Sequence, residues 1–289
     1  MKKISFCLLS MMLVGFLYAQ PPSKKEVRRE KRAVKKEARL EKKAQNLRYM
    51  ILGSGASFGI IQDLQMSSLT HQGWGGNFTW QRLIIRPKDR EEITWFRGVA
   101  SFMNPPYGDV GAFQATGQAK YNYTRNLYSW NGDKNIIRLG GYVGIPIYFR
   151  NNPRLGNSSL YFDILPTIGP SADLQMKFKI PWVKTAAIFA YQIQSSLFGF
   201  VNAFPEYATV AEEGYSKFVI LGQSATVFSE AALMIPLRKE NDNLLKISYA
   251  WDLYGLNDND IHRTRQGLHS LQLALMINLH SPNNPNKLP

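Results

Sequence analysis

Few residues in this chain have the type and spacing that chemistry requires. The four histidines, His71, His262, His269 and His280, include no i, i+4 pair such as a helical metal site uses. The sequence also lacks a phosphate-cradling glycine loop and an HExxH run. Ser196 offers a hydroxyl for acyl transfer to an envelope lipid, but a serine nucleophile needs an adjacent base. Its own stretch carries no histidine, and His269 would reach it only through a neighbouring strand. Asp258 and Asp260, close to His262, Arg263 and Arg265, have the chemistry of a divalent-cation ligand pair, yet Asn- and Asp-rich turns contain the same residues. Cys7 is the lone cysteine, which excludes a disulfide scaffold and any multi-cysteine zinc or iron–sulfur site. The expectation is therefore no catalytic, cofactor-binding or metal-ligating residue and no cofactor.

A different set of polar residues recurs at every second position. Lys120 lies in 113–124, where Phe113, Ala115, Gly117, Ala119, Tyr121 and Tyr123 share the opposite face. Asp173, Gln175, Lys177 and Lys179 alternate with Leu174, Met176, Phe178, Ile180 and Trp182. Lys246 and Asp252 alternate with Leu245, Ile247, Tyr249, Trp251 and Leu253, and 270–279 repeats the pattern with Leu271, Leu273, Leu275, Ile277 and Leu279. All six charges in these four stretches fall on the polar parity. Period two identifies strands.

Strand length then separates two architectures. A soluble sandwich also alternates, but its strands average about five or six residues. Alternation over about ten residues, with an uncharged face rich in aromatics, matches a tilted membrane strand whose other face lines a polar lumen. The aromatics Trp74, Phe78, Trp80, Tyr121, Tyr123, Trp182, Tyr249 and Trp251 suit girdles at the membrane interfaces. The predicted fold is an all-β, transmembrane, antiparallel up-and-down barrel. Lys120, Asp173, Gln175, Lys177, Lys179, Lys246 and Asp252 are its lumen-facing polar residues, with Asp163, Gln192, Gln194, Ser196 and Glu230 on the same inward parity.

Weaker alternation marks seven further candidates at 50–61, 74–85, 93–102, 135–149, 159–168, 185–201 and 217–237, and Arg82 and Arg97 leave their registers open. That makes eleven, whereas single-chain bacterial barrels close with an even number, so ten or twelve strands are expected. Short links fall at 87–91 and 238–242, and longer ones at 62–73, 202–216 and 255–265. With a periplasmic N-terminus, the alternation of short and long links breaks between 104 and 201.

Ahead of the barrel lie two segments of other composition. Lys2 and Lys3, an apolar run from Ile4 to Tyr18, and Ala19 before Gln20 read as an export signal. Residues 20–48 then hold twelve basic and four acidic residues, whereas the whole chain carries +14. Ser23 and Glu26 have capping-box spacing ahead of Ala, Lys, Arg and Glu, which indicates helix, but Val27, Val34, Leu40 and Leu47 are too sparse to bury a face. Lys24, Arg28, Arg32, Lys35, Lys36, Arg39 and Lys43 are the expected contacts to an anionic surface or to an envelope protein partner. No aromatic residue is available in 20–48 to stack bases, and export removes it from nucleic acid, so no nucleic-acid partner is expected. The division is 1–19 signal, 20–48 basic periplasmic arm, 49–280 barrel and 281–289 tail.

With its signal ending at Ala19 and Gln20, a cysteine-free mature chain, Gly- and Tyr-rich alternating strands from Met50 to Leu279, and loops rich in Asn, Pro and Gly, the chain resembles the porin-like outer-membrane β-barrel families of the Bacteroidota. It departs from them after Leu279, where His280–Pro289 replaces a terminal aromatic. The resemblance implies localisation in the bacterial outer membrane, with membrane lipid as a partner. Three roles fit such a barrel: a non-enzymatic scaffold or envelope-complex subunit, which is the expectation here, a narrow solute channel, or a barrel enzyme acting on envelope lipid.

Overall fold

The computed structural model describes Arg28, Lys31, Arg32 and Lys35, and residues 46–63, 67–105, 111–132, 134–152, 160–179, 186–205, 215–237, 243–258 and 262–279. The signal, Trp182 and the tail lie outside these. Two units are present, Met1–Gln45 and Asn46–Pro289. In the first, Arg28, Lys31, Arg32 and Lys35 are helical and exposed.

The second unit is a single antiparallel sheet. Its segments are β1 (Leu47–Asp63), β2 (Ser67–Ile85), β3 (Asp89–Asn104), β4 (Ala112–Trp130), β5 (Asn135–Asn151), β6 (Leu160–Ile164), β7 (Thr167–Lys179), β8 (Ala186–Ser195), β9 (Phe198–Pro205), β10 (Tyr215–Ile220), β11 (Ser224–Pro236), β12 (Leu244–Asp258) and β13 (His262–Asn278). The first and last pair along their length, from Tyr49↔Asn278 to Asp63↔Thr264, which closes the sheet into a barrel without edges. The hydrogen-bonded ring passes through twelve segments, with β10 attached to β9.

Three breaks between segments are kinks within continuous strands. Across Leu165 and Pro166 the register with β5 is unchanged, from Ile147↔Ile164 to Gly144↔Thr167, and Leu165 N–H still donates to the Pro146 carbonyl at 3.0 Å. Likewise β8 and β9 both pair with β7, at Ser171↔Gln194 and Ile168↔Phe198, and β10 and β11 flank a turn at Leu221–Gln223. The wall therefore has ten staves, within the expected ten or twelve. The surplus candidate among eleven is identified: 159–168 and 173–182 belong to one strand. Pro166 and Pro170 interrupt its alternation without ending it, and the expected break in link parity disappears with the false turn.

Register also sets the barrel's size. Following paired residues round the wall from Met176 through Phe189, Leu233, Ile247, Leu273, Ser54, Phe78, Gly98, Gly117 and Ile147 returns to the starting strand at Ile164, a stagger of twelve residues (176 to 164). At about 3.3 Å per residue and 4.8 Å between strands, this tilts the strands by about 40° and gives a backbone radius of about 10 Å. Only long side chains reach the axis of such a cylinder. That is why Arg, Lys, Gln, Glu and Tyr dominate the inward parity.

Outside, the apolar parity is exposed as a belt, including Trp74, Phe78, Trp80, Phe102, Tyr121, Leu271 and Leu273. Cross-strand aromatic pairs reinforce it, Phe58–Trp74 with centroids 5.0 Å apart, Trp80–Trp95 at 4.8 Å and Phe102–Phe113 at 5.5 Å. In β3 the register shifts between Thr94 and Arg97. This bulge lets both Trp95 and Phe96 face outward and returns Arg97 to the lumen, which settles the open register.

Several boundaries differ from expectation. Leu47 and Arg48 pair with Ile85 and Ile84, so the barrel begins two residues before 49. The long links predicted at 62–73 and 255–265 are mostly strand, because β1, β2, β12 and β13 run on as polar ladders beyond the apolar belt, where alternation is no longer enforced. At the end carrying Leu47 and Asn278, Arg86 in the β2–β3 link donates to Asp89 at 2.7 Å and Glu91 at 2.6 Å, which raises its pKa above the ordinary value. The β4–β5 link uses Asn131 and Gly132, both at positive φ (59° and 62°), a conformation suited to reversing a right-twisted hairpin.

Candidate functional site: the charged lumen

Tilt and parity bring inward residues from distant strands together. Asp173 on β7 is the centre of one group. It accepts from Arg90 at 2.7 Å, Arg138 at 3.2 Å and the Thr124 hydroxyl at 3.1 Å. Arg90 also meets Glu92 at 3.0 Å, and Arg138 is completed by Asn126 at 2.8 Å and Gln175 at 3.2 Å. A second group joins Lys246 to Glu230 at 2.8 Å, and a third joins Arg97 to Asp252 at 3.1 Å. Nearer the end with the 152–159 link, Arg150 pairs with Asp163 and donates to Thr264 at 3.1 Å.

Lys120 differs from these. Its ammonium donates to Gln194 at 2.8 Å and lies 4.0 Å from the centroid of the Phe228 ring, over which Arg97 also stacks at 4.5 Å. Among the described residues no carboxylate lies within ion-pair distance of it.

Apolar packing occupies the rest of the lumen. Leu47, Tyr49, Ile51, Leu83, Ile188, Met234, Leu244 and Met276 form an inward cluster at the end carrying the chain's entry into β1. Toward the other end, Tyr148 and Tyr254 stack at 4.1 Å beside Leu165, Val201, Val219 and Leu256. One cavity, of about 50 Å³, remains beside Lys120 and Phe228.

Of the seven predicted lumen residues, Lys120, Asp173, Gln175 and Lys246 are buried inside, and Asp252 is partly buried and engaged by Arg97. Lys177 is half-buried, whereas Lys179 is exposed. Parity aims Lys179 inward, but it is the last residue of β7 and emerges at the rim. In the arm, Arg28, Arg32 and Lys35 are described, and Lys24, Lys36, Arg39 and Lys43 lie outside the described residues. Sequence reading missed Arg90, Glu92, Arg138 and Arg150, which complete the ion groups. Parity extended through β3 and β5 finds them, but the β3 bulge obscures it.

Ser196 and His269 stand on opposite faces of the wall. His269 sits on the outer face, with its Nδ1 2.6 Å from the Tyr249 hydroxyl and its ring stacked on Trp251. Ser196 is buried inside, where its hydroxyl accepts the Thr226 N–H at 2.8 Å. Asp260 lies outside the described residues, and no group of three potential metal ligands occurs among the described residues.

An even-stranded closed ring, tilted by about 40°, apolar outside and polar inside, is the design that satisfies every backbone group in lipid. This is the architecture of an outer-membrane β-barrel. No protein family and no curated protein matches the chain. Among solved structures it is similar to the outer membrane protease OmpT from Escherichia coli, at 8% identity over 81% of this chain and 97% of that one, with a TM-score of 0.49. It is also similar to the translocator domain of the autotransporter NalP from Neisseria meningitidis, at 9% identity over 86% and 97%, with a TM-score of 0.42.

Proposed function

We propose that this barrel is a non-enzymatic scaffold or subunit of an envelope complex, of the kind found in Bacteroidota outer membranes, with the basic arm as its periplasmic contact. The filling of the lumen carries this reading. Buried ion pairs are costly to desolvate, and here they are interlocked across strands beside an apolar cluster, an arrangement suited to a filled, rigid barrel rather than a water-filled path.

The arm adds a contact surface. At 3.6 residues per turn, the eleven basic residues from Lys24 to Lys43 fall within an arc of roughly 160°, and Glu26, Glu30, Glu37 and Glu41 fall within roughly 60° on the other side. Arg28, Lys31, Arg32 and Lys35, spaced three, one and three apart, lie on the basic face. Such a face suits an anionic envelope partner, each charge contributing roughly 1 kcal/mol at an anionic lipid surface.

Planar-bilayer recording of the purified protein tests the reading, with co-purification in mild detergent as its complement. The expected result is no steady conductance, together with stoichiometric partners that dissociate when residues 20–46 are deleted. Stable ohmic steps from the wild type would replace the scaffold with a narrow channel.

A further inference from the structure

Among the described residues, the inward cations Arg90, Arg97, Arg138, Arg150 and Lys246 each have a carboxylate at ion-pair distance. Lys120, 5% exposed, instead meets the Gln194 amide oxygen and the face of Phe228, with no carboxylate at ion-pair distance among the described residues. An ammonium removed from water without a counter-charge is strongly unfavourable.

The missing charge has a place to sit. Lys120 borders the 50 Å³ chamber, together with Arg97, Tyr142, Thr226 and Gln266. Of these, Gln266 is 4% exposed. Asp252 also borders the space, but Arg97 engages its charge at 3.1 Å. The chamber exceeds the space one water needs, and its lining mixes polar groups with apolar ones such as Val99, Phe228 and Leu268.

We infer that this chamber binds one small inorganic anion of the halide class, held by Lys120 with Arg97 as a flanking group. The anion neutralises Lys120 and cements the middle of the barrel. This goes beyond the scaffold reading and stands whether or not the lumen conducts.

Crystals of the wild-type barrel grown or soaked in sodium bromide test it directly. An anomalous peak within hydrogen-bond distance of Lys120 Nζ is expected, and its absence, or a water in its place, overturns the assignment. In solution, the midpoint of heat-induced unfolding is expected to lie several degrees higher in sodium chloride than in sodium gluconate at equal ionic strength. The difference should vanish in Lys120→Met. Equal midpoints for the wild type would overturn the inference. If Lys120→Met does not fold, Lys120→Gln serves in its place, and the wild-type bromide map decides independently.

Discussion

Asp173 is the residue on which the lumen depends most. It holds two guanidinium groups, of buried Arg138 and partly buried Arg90, and is itself fully enclosed. Removing one member of such a group leaves the others charged in a desolvated space, at a cost of about 3–5 kcal/mol. Asp173→Asn is expected to lower the stability of the refolded barrel by about that amount in urea titrations followed by gel mobility. Adding Arg138→Gln should recover part of the loss, since the stranded charge goes with it. A loss for Asp173→Asn no larger than that of a surface substitution would show that the group is solvated.

At the level of elements, the strands owe their path to places where side chains are missing. Gly73 on β2 lies where a Cβ would overlap the carbonyl oxygen of Phe102 on β3, so the two strands approach in a way only glycine permits. Gly76, three residues on, has nothing nearer than the Gly55 carbonyl oxygen at 3.8 Å. Gly73→Ala is therefore expected to cost at least about 1–3 kcal/mol, seen as a reduced yield of heat-modifiable folded protein, while Gly76→Ala stays near wild type. Equal yields would mean that the strands readily spread apart. The segment 62–73 reads as a loop because its polar residues lack the apolar alternation of a membrane strand, although Gln62 and Asp63 of β1 pair with Thr70 and Ser67 of β2.

For the whole molecule, the decisive property is which surface meets hydrocarbon. Leu273 is 56% exposed on the belt, whereas Asn257 lies outward at the far end of β12. Leu273→Arg places a charge in lipid and is expected to cost about 2–4 kcal/mol, with less folded, slow-denaturing protein in the unboiled gel lane. Asn257→Arg, beyond the belt, is expected to change stability by no more than about 0.5 kcal/mol. If the two behaved alike, the outer face would not be a membrane surface.

The fold class and the sidedness of the wall follow from sequence alone, because period two is a local property. Lys120, Asp173 and Lys246 fall on the polar parity of their stretches, and all three are buried. Pairing is not local. Arg90 reaches Asp173 across 83 residues of sequence and Lys120 reaches Gln194 across 74. Those meetings depend on a twelve-residue stagger summed over ten strands, which one bulge or one misjudged proline alters. Closure of the ring therefore decided which charges would neutralise each other and left Lys120 as the odd one.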